Sequence, residues 1–229
     1  TSGVPVSFNG AGANGFDGLA QNGGTLNMCL EYTTFNGSGD VGMTLLADGV
    51  DAVTSSLISA NLENVHVNGS QLGGLAGTAD NYGELRLRAV NSQFNGNGLG
   101  AASDGVLITA DNNGRALTLF SNSSASGNSD DGFSYVADNG AYMSARLDAF
   151  TATGNAGYGV NFNATGAGTD AYLITETASG VNTVSGNTLG NYNLTFTNTG
   201  DAVVALTGSF NNSASDGVNI AITGDGTGT

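Results

Sequence analysis

Basic residues are scarce in this sequence. Lysine is absent, only four arginines are present, and nineteen acidic residues give the chain a net charge of −15. Nucleic acids and anionic membrane surfaces are bound through clusters of positive charge, so this composition argues against both as partners. Cations and neutral glycans are better suited to such a surface.

Cysteine, proline and long apolar runs are also nearly missing. Cys29 is the only cysteine, which excludes an intramolecular disulfide. Its place in a short apolar stretch predicts a packed or half-packed strand thiol and not a reactive nucleophile. Proline occurs once. No run of about 18 apolar residues is present, so we expect no membrane span.

Glycine is abundant, with 38 copies. A glycine-rich acidic chain is often disordered because it cannot bury enough apolar surface to offset the entropy of ordering. Here 39% of the residues are hydrophobic, and they lie in short, evenly spaced clusters. The sequence therefore predicts a folded protein.

A short motif of alanine, aspartate, asparagine and glycine recurs along the chain. A second motif consists of an apolar or small residue followed by Asn, Ser or Thr and then, in most copies, Gly. Successive copies of either motif are 26 to 32 residues apart, a period typical of solenoid proteins. The first motif begins at Ala20, Ala47, Ala79, Ala110, Ala137 and, less closely, Ala164, and the second at Phe8, Phe35, Val67, Phe94, Ala125, Ala152, Val184 and Phe210.

The runs between these motifs are short and alternate between apolar and polar residues. They are bounded by Gly, Asn and Asp, which is typical of strands joined by tight turns. Two to three strands in each repeat, with no helical period, predict an all-β parallel β-helix. The motif copies give about eight coils with a period near 29 residues, and we expect residues 1–229 to form a single domain.

The alternation also predicts which side chains face the core. In the run after Gly83, Leu85 and Leu87 should point inward and Arg86 and Arg88 toward solvent. One coil later Leu117 and Leu119 fall in the opposite phase. We expect insertions in the turns to absorb this difference.

The stretch Gly127-Asn128-Ser129-Asp130-Asp131-Gly132-Phe133-Ser134-Tyr135 shows the recurrent rhythm of the chain. It resembles the repeat of right-handed parallel β-helix proteins of the pectate-lyase-like superfamily, and the resemblance extends over nearly the whole chain. It implies a right-handed coil and an extracellular setting. Because the superfamily includes lyases, glycoside hydrolases, phage tailspikes, adhesins and surface-layer proteins, the resemblance does not select a function.

A column of carboxylates is predicted from the aspartates of the first motif. Neighbours in such a column would lie about 5 Å apart and repel each other, and a hard cation such as Ca²⁺ would relieve the repulsion. The alternative is a structural role, since Asp and Asn accept local hydrogen bonds in turns. The candidate calcium ligands are Asp48, Asp80, Asp111 and Asp138. An internal ladder of amides, each bonded to the next coil, is predicted for the following asparagines, Asn81, Asn112 and Asn139.

Asp104, Asp130 and Asp131 are the candidates for catalysis. Two carboxylates about 5 to 9 Å apart can serve a glycosidase as acid and as base or nucleophile. Against this, Asp104 and Asp131 share one turn position of the repeat, where a structural role is expected. The His-Gly and Arg-x-Lys elements of polygalacturonases in that superfamily are missing. We expect the arginines to balance the charges of Glu63 and Asp148 and not to abstract protons.

These features favour a secreted or cell-surface scaffold with a structural or adhesive role, as in surface layers, adhesins or filaments. No cofactor is required, and calcium is the one that would suit the acidic turns. Coils at the ends of a stack expose strand edges, so we expect a segment of a longer or assembled protein, with self-association or neighbouring repeats at its ends. Glycans are the other expected partner. The alternative is a polysaccharide lyase or glycoside hydrolase acting on an extracellular glycan.

Overall fold

The computed structural model describes residues 6–197, 199–211 and 217–224. All regular secondary structure within these ranges consists of strands. In chain order they are β1 (Val6–Asn9), β2 (Phe16–Gln21), β3 (Thr25–Glu31), β4 (Thr33–Asn36), β5 (Val41–Asp48), β6 (Leu57–Glu63), β7 (His66–Asn68), β8 (Gly73–Asp80), β9 (Glu84–Val90), β10 (Val106–Ala110), β11 (Arg115–Ser121), β12 (Phe133–Ala137), β13 (Tyr142–Asp148), β14 (Thr151–Thr153), β15 (Tyr158–Thr165), β16 (Asp170–Glu176), β17 (Thr183–Ser185), β18 (Gly190–Thr197), β19 (Ala202–Ala205), β20 (Ser209–Asn211) and β21 (Val218–Thr223).

The strands form three faces of one stack. The eight-stranded sheet has the order β2-β5-β8-β10-β12-β15-β18-β21, and the seven-stranded sheet has the order β19-β16-β13-β11-β9-β6-β3. The narrow sheet consists of β1-β4-β7 and β14-β17-β20, which isolated bridges at Gln93 and Ser124 connect. Each strand pairs in parallel with its equivalent one repeat away, as β8 does with β5 and β10.

This arrangement is a parallel β-solenoid of about seven turns with a period near 28 residues, which confirms the predicted fold class. The eight copies of the second motif lie along the narrow sheet, from Phe8 in β1 to Phe210 in β20, and the stack that they mark has about seven turns where about eight coils were expected. Asn212, in the last copy of this motif, lies outside the described residues.

Strands β9 and β11 pair residue by residue along their whole length, with no shift between them. Leu117 pairs with Arg86 and Leu119 with Arg88, so both leucines lie on the outer face of the seven-stranded sheet. The prediction that turn insertions absorb their phase is therefore wrong. The core positions of β11 belong to the alternate residues, among them the fully buried Phe120.

The core is built from columns of equivalent side chains. Leu85 and Leu87 are buried, as predicted. The alanine of the first motif is buried in turn after turn, so this edge of the core has small side chains while its aspartate neighbour faces outward. Aromatic rings fill the wider part in an edge-to-face chain that strengthens the packing beyond its apolar area. Centroid distances in that chain are 5.9, 5.2 and 5.7 Å along Phe94, Phe120, Phe133 and Phe150.

At both ends of the described stack, side chains in core positions remain exposed. Phe8 stacks on Phe35 at a centroid distance of 5.2 Å, yet it is 48% exposed. At the opposite end Ile220 and Ile222 pair in register with the buried Leu194 and Phe196 and are 50% and 56% exposed. These end turns therefore present apolar surface and open strand edges.

Candidate functional site

The predicted column of carboxylates is present on the eight-stranded sheet. Asp48 pairs directly with Asp80, and the paired alanines before Asp111 and Asp138 continue the column. The four side chains, called the acidic ladder below, are half-buried and lie one turn apart. In three of them Oδ1 accepts a hydrogen bond from the N–H of the next residue, at 2.7 or 2.8 Å. This is the local turn bond that a structural role requires.

The asparagines beside the ladder do not form an internal column. All three are exposed and have a left-handed backbone, with φ between 46° and 51°. This conformation turns each amide over the outer face, where the carboxylate of the preceding turn is a stronger acceptor than another amide. The predicted amide-to-amide ladder is therefore wrong at these positions. The observed bonds run from Nδ2 to Oδ1: Asn81 to Asp48 (3.0 Å), Asn112 to Asp80 (2.9 Å) and Asn139 to Asp111 (2.8 Å).

Each of these asparagines thus ties two turns together at the surface. We expect Asn112→Ala to lower the free energy of unfolding by about 1–2 kcal/mol. The substitution removes the hydrogen bond to Asp80, and it places alanine in the left-handed region, which asparagine tolerates better. Urea unfolding followed by circular dichroism measures the change. A variant as stable as the original protein would show that this bond contributes nothing.

A buried amide ladder does exist, at a different position of the repeat. It consists of Asn97, Asn128, Asn155 and Asn187, each at most 2% exposed. The Oδ1 of Asn128 accepts the backbone N–H of Asn97 at 2.9 Å, and its Nδ2 donates to Oδ1 of Asn155 at 3.1 Å. Every member follows the Gly of the second motif, so the sequence contained the signal. Ser38 and Ser70 occupy this position in the earlier turns.

The regular occurrence of Gly before the long strands is explained by this ladder. A Cβ at Gly132 would lie 2.8 Å from Nδ2 of Asn155, and one at Gly74 would lie 2.7 Å from Nδ2 of Asn97. Neither contact is tolerable for a real side chain. The glycines therefore leave room for the asparagines one turn away.

The catalytic candidates are brought together where the chain enters the eight-stranded sheet. Oxygens of Asp104, Asp130 and Asp131 all lie within 4.8 Å of one another, the only such acidic group in the described part of the chain. Oδ1 of Asp131 accepts the N–H of Tyr158 at 2.6 Å and its Oδ2 accepts the amide of Asn161 at 2.7 Å. Both oxygens of Asp131 are thus used in holding the next turn.

Asp104 and Asp130 border a cavity of about 190 Å³. Oδ1 of Asp104 accepts the N–H of Asp131 at 3.1 Å. Burial, and after it the negative charges of Asp131 and Asp130, raise the pKa of Asp104 to about 7. Burial also raises the pKa of Asp131, against its hydrogen bonds from Tyr158 and Asn161. A proton held on Asp104 near neutral pH relieves the repulsion within the group.

A second feature, which the sequence analysis missed, is an open groove on the outer face of the seven-stranded sheet. It extends from β3 to β13, has a volume of about 740 Å³ and is called the arginine groove below. Its lining includes Leu117, Leu119, Arg86, Arg88 and Arg146, and no carboxylate among the described residues. The outward phase of the two leucines was the sequence signal for its apolar floor.

All four arginines of the chain lie on this face. Arg86 and Arg115 pair with Glu84, and Arg146 pairs with Glu176, so the expected partners Glu63 and Asp148 are not the ones in direct contact. Arg88 instead donates to Oδ1 of Asn61 at 2.9 Å. It forms no ion pair with any described residue.

Cys29 lies at the edge of the same groove. Its thiol is exposed, so the prediction of a packed or half-packed thiol is wrong. The reason is that β3 turns this residue outward near the end of the stack. Amide Nδ2 of Asn61 lies 3.6 Å from its sulfur.

No protein-family model matches this chain, and neither a curated protein nor a solved structure is detectably similar to it. The class of the protein, a parallel β-solenoid, therefore follows from its strand pairing. The described residues also include no helix of the length and apolarity needed to cross a bilayer.

Proposed function

We propose that the protein is an extracellular structural or adhesive solenoid, secreted or displayed on a cell surface, in line with its resemblance to right-handed β-helix proteins. The observation that carries the proposal is the exposure of core-position side chains at both ends of the described stack. In solenoid proteins such surfaces are covered by a capping segment, by further turns or by another copy. A rigid rod that extends by stacking suits a layer, a filament or an adhesin.

Sedimentation velocity over a concentration series tests this proposal. We expect the average mass to increase with concentration and the double variant Ile220→Asn, Ile222→Asn to suppress the increase, because polar side chains in core positions lower the apolar area that stacking would bury. Ala221→Asn on the outward side of the same strand is the matched control. A chain that stays monomeric at every concentration and is unaffected by either change would contradict end-on stacking.

Calcium stabilisation is part of this proposal. Oxygen clusters of several carboxylates are the sites that Ca²⁺ prefers, and the acidic ladder and the group of Asp104, Asp130 and Asp131 both supply them. An ion that binds only the folded state stabilises it by an amount that increases with the logarithm of 1 + [Ca²⁺]/Kd, so we expect millimolar CaCl₂ to raise the melting temperature above that in EDTA. Asp130→Asn should remove the increase if the cluster binds the ion, and Asp111→Asn if the ladder does. An unchanged melting temperature would exclude a structural calcium.

Hydrolysis or elimination on an extracellular polysaccharide is the second candidate function. It is favoured by the position of Asp104 and Asp130 at the same small cavity together with the raised pKa of Asp104, since a carboxyl with a raised pKa can act as a general acid. Assays on acidic and neutral polysaccharides, with and without EDTA, test it. Turnover abolished by both Asp104→Asn and Asp130→Asn would favour the enzyme, and absence of turnover on all substrates would favour the scaffold.

A further inference from the structure

All four arginines of the molecule lie on the seven-stranded sheet, and the acidic ladder lies on the eight-stranded sheet, whose strands contain no lysine or arginine. The lining of the arginine groove includes three arginines and no carboxylate among the described residues. Outside the lining, Glu84 and Glu176 pair with Arg86 and Arg146, so Arg88 is the groove arginine that no described carboxylate pairs. The acidic ladder offers the charge that Arg88 lacks.

The two faces also match in spacing along the stack. Asp80 ends β8 and Arg88 lies in the next strand of the same turn, and Asp138 and Arg146 are related in the same way two turns later. Arg88 and Arg146 occupy one outward column, because Arg88 pairs with Leu119 and Leu119 with Arg146. The two aspartates are thus two turns apart, about 9.6 Å, and so are the two arginines.

Asp80 and Arg88 have capacity for a further partner, and Arg146 keeps N–H groups beyond the one that it donates to Glu176. The described hydrogen bonds of Asp80 use Oδ1, which accepts from Asn81 and Asn112, and leave Oδ2 without a partner among the described residues. Arg88 has no ion pair within the described part of the chain and donates only one N–H, to Asn61.

Apolar side chains accompany the charges on both faces. Leu117 and Leu119 form the floor of the arginine groove. Leu46, Leu107 and Val136 lie half-buried on the outer side of the eight-stranded sheet, in the columns next to the acidic ladder. Contact between the faces would remove these side chains from water as well as pair the charges.

We propose that the arginine groove of one copy docks on the acidic ladder of a second copy that lies beside it with the same axis direction and no axial shift. Arg88 then meets Asp80 of the neighbour, and Arg146 meets its Asp138. Because the two faces are different surfaces of one molecule, the contact is heterologous and repeats from copy to copy, which gives an open row of parallel solenoids or, where the rotation closes, a ring. The inference rests on the proposed structural role and gives it a lateral direction, independent of end-on stacking.

Charge reversal with rescue tests the contact. In about 0.15 M salt, where the general repulsion between acidic copies is screened beyond about 8 Å, we expect the full chain to associate in sedimentation velocity. Arg88→Glu and, separately, Asp80→Arg should each weaken association at least about tenfold, because each places like charges opposite one another. An equimolar mixture of the two variants should associate again, since the reversed groove of one variant then meets the reversed ladder of the other and their native faces also meet.

Two controls separate this contact from a general effect of net charge and from end-on growth. Arg115→Glu changes the same charge on the same sheet outside the groove lining and should leave association unchanged. Ile222→Asn, which acts on the end turns, should affect end-on growth and leave the rescue by mixing intact. A mixture that does not associate overturns the proposal. So does a monomeric chain that binds an acidic polysaccharide such as alginate through Arg88, which would assign the groove to a glycan.

Discussion

Replacement of Asn128 by alanine is expected to lower the free energy of unfolding by about 2–4 kcal/mol. Asn128 is 2% exposed. Its Oδ1 accepts the backbone N–H of Asn97 at 2.9 Å, and its Nδ2 donates to Oδ1 of Asn155 at 3.1 Å. Alanine leaves the buried N–H of Asn97 without this acceptor, which costs about 1–3 kcal/mol, and removes one of the two hydrogen bonds that Oδ1 of Asn155 accepts, the other coming from the backbone N–H of residue 128.

The position of Asn128 within the stack increases the effect. Each turn contacts only the turns above and below it, so a defect in the middle weakens both interfaces. The amide of Asn128 also occupies the space where a Cβ of residue 105 would lie, in contact with its Nδ2, so alanine at 128 leaves that space empty.

Urea unfolding followed by circular dichroism measures this loss, and Asn163→Ala provides the matched control. Asn163 is an exposed asparagine on the outer side of β15, where the same substitution should change the free energy of unfolding by less than about 0.5 kcal/mol. Equal effects of the two substitutions would show that the buried ladder does not stabilise the stack.

The contrast between the two asparagine ladders shows how far the sequence specifies such a fold. Periodic spacing fixes which residues lie one above another, and for that reason the column of Asp80 and Asp111 was predictable. Spacing does not tell whether a column faces the core or the solvent. That depends on which residue has the left-handed backbone. Asn112 has it itself, with a φ of 47°, and its side chain turns outward. Before Asn128 the left-handed residue is Gly127, with a φ of 64°, and the side chain of Asn128 is buried.

The arginine groove illustrates a different limit. The alternation of β9 predicted that Arg86 and Arg88 face solvent, and they do. Leu117 and Leu119 conflict with that alternation only if apolar residues are assumed to face the core. Parallel pairing is cooperative across seven strands, so the register is kept and two leucines are left outside. A surface site of this kind arises where the periodic pattern is broken, and its partners come from strands about 30 residues apart.

Asp104→Asn is expected to raise the free energy of unfolding at pH 8 by about 2–4 kcal/mol. The pKa of Asp104 is about 7 in the folded protein, above its ordinary value of 3.8, because burial and the nearby Asp131 and Asp130 disfavour its charge. Between these two values the folded chain retains a proton that the unfolded chain releases. The contribution of Asp104 to the free energy of unfolding is therefore fully present below pH 3.8, decreases as the pH rises from there to about 7, and is lost above about pH 7.

Asparagine removes this penalty because it is neutral at every pH and retains an Oδ1 that can accept the N–H of Asp131. Unfolding in urea at several pH values from 4 to 8 measures the difference. The original protein should lose stability over this range, and the variant should show a shallower dependence with the greatest gain at pH 8. Asp40→Asn, at a different turn, is the control and should change stability at pH 8 by less than about 0.5 kcal/mol. If Asp104→Asn destabilises the protein at pH 8, the carboxylate is needed in its charged form, which is the result expected if a bound cation and not a proton neutralises the group.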